Sequence, residues 1–263
     1  MHGILDTQRI KQTTGLLLLA SIIVIPWATP AGATIFWDDE MESGTGSPYD
    51  NMVSGGVASY DASIKFSGAG STKVLYPSNC LPQPPACGGF FDRPFTPVST
   101  RWTRFYIRLS PDFQISEVQT KVMRSDTNGP ESSWWGFLWG TPNWTVQVQV
   151  PNVGTRNIHS SATLNRGQWY CVEMRETLNT PGVSNGIIES WLDGTLILSV
   201  SDVLHRISGD NSLLYNNRMY RQVGSGNIWY DRIAVGDQRI GCLGSVSNGD
   251  DTPPRIPTGL TLR

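Results

Sequence analysis

Along most of the chain apolar and polar residues alternate in short runs, with almost no helical spacing. Phe105, Ile107 and Leu109 alternate with Arg104, Tyr106 and Arg108. Val118 and Val122 alternate with Gln119 and Lys121, and Trp144, Val146, Val148 and Val150 with Thr145, Gln147 and Gln149. Tyr170, Val172 and Met174 alternate with Cys171, Glu173 and Arg175. Leu196, Leu198 and Val200 form a further run, and Trp229, Ile233 and Val235 alternate with Tyr230 and Arg232. Successive side chains on a strand point to opposite faces, so each run predicts one face for a core and one for solvent or ligand. Asp193-Gly194 predicts a tight hairpin, and Asn185-Gly186 and Asn165-Arg166-Gly167 two further reversals. The whole predicts an all-β, two-sheet antiparallel sandwich.

The first 33 residues read differently. Arg9 and Lys11 lead into the apolar run Leu16–Trp27, and Ala31-Gly32-Ala33 follows. That order predicts a signal peptide over residues 1–33 and export to the periplasm or the extracellular space. The rival reading is an uncleaved anchor, but the run is shorter than the roughly 20 apolar residues a spanning helix needs. No second such run follows, so no transmembrane span is expected in the mature protein. Residues 34–243 then form the sandwich domain. Residues 244–263, rich in Gly, Ser, Asn, Asp and Pro, read as a linker or tail. Its close, Pro253 to Leu262, resembles the opening strand of a fibronectin type III module.

Without residues 1–33 the chain keeps 18 basic and 21 acidic residues, a net charge of −3. With no basic stripe, nucleic acid is not an expected partner. All four cysteines follow residue 33. An even count in an exported chain favours disulfides over a metal site. Cys80 and Cys87 flank a short proline-rich loop, which leaves Cys171 with Cys242, although four cysteines allow three pairings. Asp38, Asp39 and Asp231, with Glu40, are candidate oxygen ligands for Ca²⁺ between the first and last strands. The oligomeric state is not readable.

Trp169-Tyr170-Cys171-Val172-Glu173-Met174-Arg175, then Leu178-Asn179-Thr180-Pro181-Gly182, Asn185-Gly186 and Trp191-Leu192-Asp193-Gly194, form a layout that resembles the concanavalin A-like lectin/glucanase superfamily. Within it the chain looks most like lyases that cleave alginate or glucuronan. Phe36 to Glu42 resembles the family's opening strand and Trp229 to Gly236 its closing one. The resemblance covers roughly residues 35–242. It implies a jelly roll with a concave face that holds a sugar chain.

A two-carboxylate hydrolase is poorly matched, because Glu189-Ser190-Trp191-Leu192-Asp193 lacks the needed spacing and Glu173 and Glu176 fall on opposite strand faces. A β-eliminating lyase instead needs a cation or amide on the uronate carboxylate, a base for the C5 proton and an acid for the leaving oxygen. The candidate catalytic residues are Tyr106, Tyr230, Lys121 and His159. The candidate substrate-binding residues are Arg104, Arg108, Gln147, Gln149, Glu173, Arg175 and Arg232, with Trp134 and Trp135 as stacking platforms. The Gln-(Ile/Val)-His and Tyr-Phe-Lys-Ala-Gly strands of one alginate lyase family do not occur. The sequence therefore supports an exported polysaccharide-binding domain with possible lyase activity. A non-catalytic lectin-like or adhesive module is the alternative.

Overall fold

The computed structural model describes residues 34–42, 51–53, 58–78, 89–117, 119–129, 133–150 and 153–244. All belong to one of the chain's two units, Gly32–Arg263. The predicted signal segment, the Cys80–Cys87 pair, and the tail after residue 244 lie outside the described residues.

Among the described residues fifteen strands follow one another: β1 (Ile35–Asp39), β2 (Asn51–Val53), β3 (Ala58–Asp61), β4 (Ser71–Tyr76), β5 (Gly89–Val98), β6 (Thr100–Leu109), β7 (Thr120–Thr127), β8 (Ser133–Trp139), β9 (Thr141–Val150), β10 (Gly154–Thr163), β11 (Trp169–Thr177), β12 (Gly186–Leu192), β13 (Thr195–Val203), β14 (Leu214–Gln222) and β15 (Gly226–Gly236). They form two antiparallel sheets. One has eight strands, ordered β13-β12-β11-β6-β15-β4-β3, with β1 also paired to β15. The other has seven, ordered β10-β9-β8-β7-β14-β5-β2.

The alternation sorts into faces as the pattern requires. Phe105, Ile107, Val172 and Met174 of the eight-stranded sheet meet Phe91, Trp144, Val146, Val148 and Met219 of the seven-stranded sheet, all buried in one cluster. Removing this apolar area from water is the main force that holds the sheets together. The aromatic tips inside it are satisfied across the gap. Tyr76 donates to the carbonyls of Lys121 and Tyr220, Tyr230 to that of Val122, and Trp144 to Ser190. Asp193 (φ 49°) and Gly194 (φ 81°) form the predicted hairpin, both left-handed as a type I′ turn demands.

At one end the interior is ionic. Arg101 and Glu176, both buried, lie 3.4 Å apart. Ser125 of β7 donates to Glu176, and Arg101 donates to Asn217 and to the Asn216 carbonyl of β14. These bonds tie the sheets together. His205 lies 3.4 Å from Glu176, and burial holds its pKa down to about 3. It is neutral, so that contact is not an ion pair.

The strand β15 departs from the sequence pattern. Arg232 takes φ 49°, and the pairing register shifts between Asp231 and Ala234. Such a bulge adds one residue and flips the faces on either side. Tyr230 therefore faces the core with Ile228, and Trp229 faces out.

Candidate functional site

The two outer faces differ. On the eight-stranded sheet, Tyr106, Cys171, Trp169 and Trp229 form a second buried cluster, with Phe66, Cys242 and Leu243 packed over it. The segment around residues 239–243 is fastened there. A disulfide joins Cys171 to Cys242. Glu173 accepts from Gly241 (2.6 Å) and Arg239 (3.0 Å). Arg104 donates to the Gly241 carbonyl, and the Leu243 amide donates to the Tyr106 hydroxyl.

The seven-stranded sheet presents a polar outer face. Its register aligns Asn157, Gln147, Trp135, Arg124, Arg218 and Asp92 across six strands. A neighbouring row holds His159, Thr145, Phe137 and Lys121. Residues on this outward face are buried: Thr145 is 1 % exposed, Gln147 6 %, Asp92 1 % and Asp126 6 %.

Its chemistry follows from its neighbours. Arg218 Nε lies 3.1 Å from Asp92 and 2.7 Å from Asp126, and its guanidinium covers the Phe90 ring. Arg124 pairs with Asp126 on its own strand face. Burial raises the Asp126 pKa against the pull of Arg124, Arg218 and Arg101. Gln147 donates to Asn157 (2.8 Å), and Thr145 and His159 share a hydrogen bond (3.2 Å). His159 also lines a depression of about 380 Å³ with Thr141, Asn143, Thr145 and Ser160. At the opposite wall, burial and the nearby Arg124 bring Lys121 down to about 8. A bulge in the β7 pairing sits at Lys121, and the Tyr76 and Tyr230 hydroxyls hold the carbonyls of residues 121 and 122. Arg124 and Arg218 balance Asp92 and Asp126, and Lys121 adds a positive charge only while protonated.

No family model matches the chain, and no curated protein does either. Solved structures do. The endo-β-1,4-glucuronan lyase of the fungus Trichoderma reesei superposes with a TM-score of 0.60 at 15 % identity, over 81 % of this chain and 98 % of that one. The PL-14 alginate lyase of Aplysia kurodai gives 0.61 at 10 % identity, over 77 % and 99 %. A carbohydrate esterase of the Shiga toxin-encoding bacteriophage phi24B gives 0.53 at 11 % identity, over 79 % and 100 %. The chain shares the jelly-roll sandwich fold of these proteins. At these identities the likeness is one of fold, and a fold that also carries an esterase does not fix the chemistry.

The jelly roll divides the residues expected to form one site. Lys121, His159, Gln147 and Gln149 belong to the open sheet, with Gln149 exposed at its margin. Trp135 pairs with Gln147 and Trp134 with Val148 in register. Arg104, Tyr106, Arg108, Glu173, Arg175 and Arg232 belong to the other sheet. Tyr106 has no exposed surface, stacks on Phe66 at 3.7 Å and is pushed up to about 12 by burial, so it is no base. Tyr230 is equally buried and spends its hydroxyl on Val122. Arg104 and Glu173 hold the 239–243 segment rather than a ligand. Arg175 pairs with Glu189 and lies over Trp102, and Arg232 pairs with Glu40. The proposed Ca²⁺ ligands do not converge either. Asp231 accepts from the Phe66 and Ser67 amides, Asp39 accepts from Met41, and among the described residues no metal-holding cluster forms.

Sequence reasoning missed Arg218, Asn157, Asp92 and Asp126. Arg218 and Asn157 lie in runs without clean alternation, Leu214 to Gln222 and Gly154 to Thr163. Arg124 lies three residues after Lys121, so strict alternation puts the two on opposite faces, and the bulge between them is not marked in the sequence.

Proposed function

We propose that the polar outer face of the seven-stranded sheet forms a hollow that binds a uronic-acid polysaccharide and cleaves it by β-elimination, with Lys121 as the base. The observation that carries this is a lysine with a pKa near 8 on one sheet face with two arginines and two amides. The arginine forks and Gln147 suit a uronate carboxylate. Neutralising that carboxylate acidifies the C5 proton. Neutral Lys121 takes the proton, the electron pair forms the C4–C5 double bond, and the C4–O bond breaks. The leaving oxygen takes its proton from the ammonium just formed. His159 stands three inter-strand steps from Lys121, ~14 Å between backbones, and so holds a neighbouring ring in its depression.

The setting supports action outside the cytoplasm. A structural disulfide persists in oxidising compartments, and the N-terminal pattern reads as an export signal. Among the described residues no helix is long and apolar enough to cross a membrane.

The test is absorbance at about 235 nm, where the unsaturated product absorbs, with glucuronan and alginate as substrates. Wild-type protein should raise it, and Lys121→Met should not while keeping its fold. Glycan binding with a flat trace from wild type would refute the lyase and leave the lectin-like module.

A further inference from the structure

Away from the hollow, β1 and β5 enclose a second cavity of about 410 Å³, lined by Phe36, Trp37, Arg93, Pro94, Phe95 and Thr96. The two strands belong to different sheets. Strand alternation separates it from the hollow. Asp92 faces out to Arg218, whereas Arg93 lies over the Trp37 ring at 5.5 Å. Among the described residues Arg93 meets no carboxylate and donates to no acceptor. A guanidinium stacked on a ring keeps its N–H donors in its own plane, directed away from that ring. Phe36 and Phe95 stack at 5.7 Å and add apolar wall, and exposed Thr96 adds a hydroxyl at the rim.

We infer that this cavity is a second ligand site, for a single carboxylate-bearing sugar ring. The Arg93 fork recognises the carboxylate. The aromatic wall takes the C–H face of the ring, and Thr96 a ring hydroxyl. The volume lies within the range of small-molecule sites, roughly 300–1,000 Å³. The inference does not depend on chemistry at Lys121.

The experiment titrates the full chain with D-glucuronate, with D-glucose and acetate as controls, by calorimetry and by the Arg93 Nε–H resonance. Glucuronate should bind and shift that resonance, with glucose and acetate about tenfold weaker or worse. Arg93→Met should weaken glucuronate by about tenfold or more, and Arg93→Lys, which keeps the charge but loses the fork, should also weaken it. Lys121→Met should leave the shift of the Arg93 resonance unchanged. A resonance that does not move overturns the site even if a variant fails to fold. Equal acetate affinity, glucuronate affinity unaffected by Arg93→Met, or an Arg93 shift lost in Lys121→Met overturns it as well. Failure of uronan cleavage would leave this titration unaffected, so the two readings fail separately.

Discussion

Lys121 owes its character to its strand. Two core tyrosines hold the carbonyls at the β7 bulge, and the side chain is half-buried beside Arg124. The charged form is penalised and the pKa falls from 10.5 to about 8. A base works when neutral, so kcat/KM for uronan cleavage should climb with pH through about 8 and then level. A pH–rate profile checks this, and a rise centred near 10 would contradict it. His205 supplies a stability counterpart. Its folded pKa is depressed to about 3 from 6.5, so the folded state binds fewer protons. Its contribution is complete above pH 6.5 and is lost as pH falls toward 3. Urea unfolding at successive pH values should show that loss, and His205→Gln should flatten the slope.

At the scale of the element, the strands and their inward faces were legible wherever alternation ran unbroken, as in β6, β9 and β11. In β15 it misled. A one-residue bulge at Arg232 turned Tyr230 into the core, and no composition signal marks a left-handed arginine. The outer face of β6 was read correctly as arginine and tyrosine, but its cover was not. The Cys171–Cys242 disulfide that fastens it is the pairing the cysteine pattern offered, but where its chain lies on the sheet is set by strand order. The same tie makes a prediction. Removing it by Cys171→Ser with Cys242→Ser should cost up to ~4 kcal/mol by loop-closure entropy. Amide exchange should rise over residues 239–243, while uronan cleavage at 25 °C, set by the other sheet, should hold. Lost cleavage in a folded double variant would count against the assignment of faces.

The described residues form a sandwich with one covered face and one polar face, bound through its interior by apolar packing and by Arg101, Glu176 and Ser125. Glu176→Gln leaves Arg101 buried without its carboxylate and should cost roughly 3–5 kcal/mol in urea unfolding. A cost near zero would mean that the ionic tie contributes nothing. Sequence alone assembled candidates from both faces because strand order, which decides their company, is a property of the fold. The most direct test of the assignment is therefore a single cleavage assay on folded Lys121→Met and folded Tyr106→Phe side by side, read at about 235 nm on glucuronan and alginate. The account predicts that the first abolishes product formation and the second leaves it at the wild-type rate. Product lost with Tyr106→Phe and kept with Lys121→Met would place the chemistry on the covered sheet and contradict it.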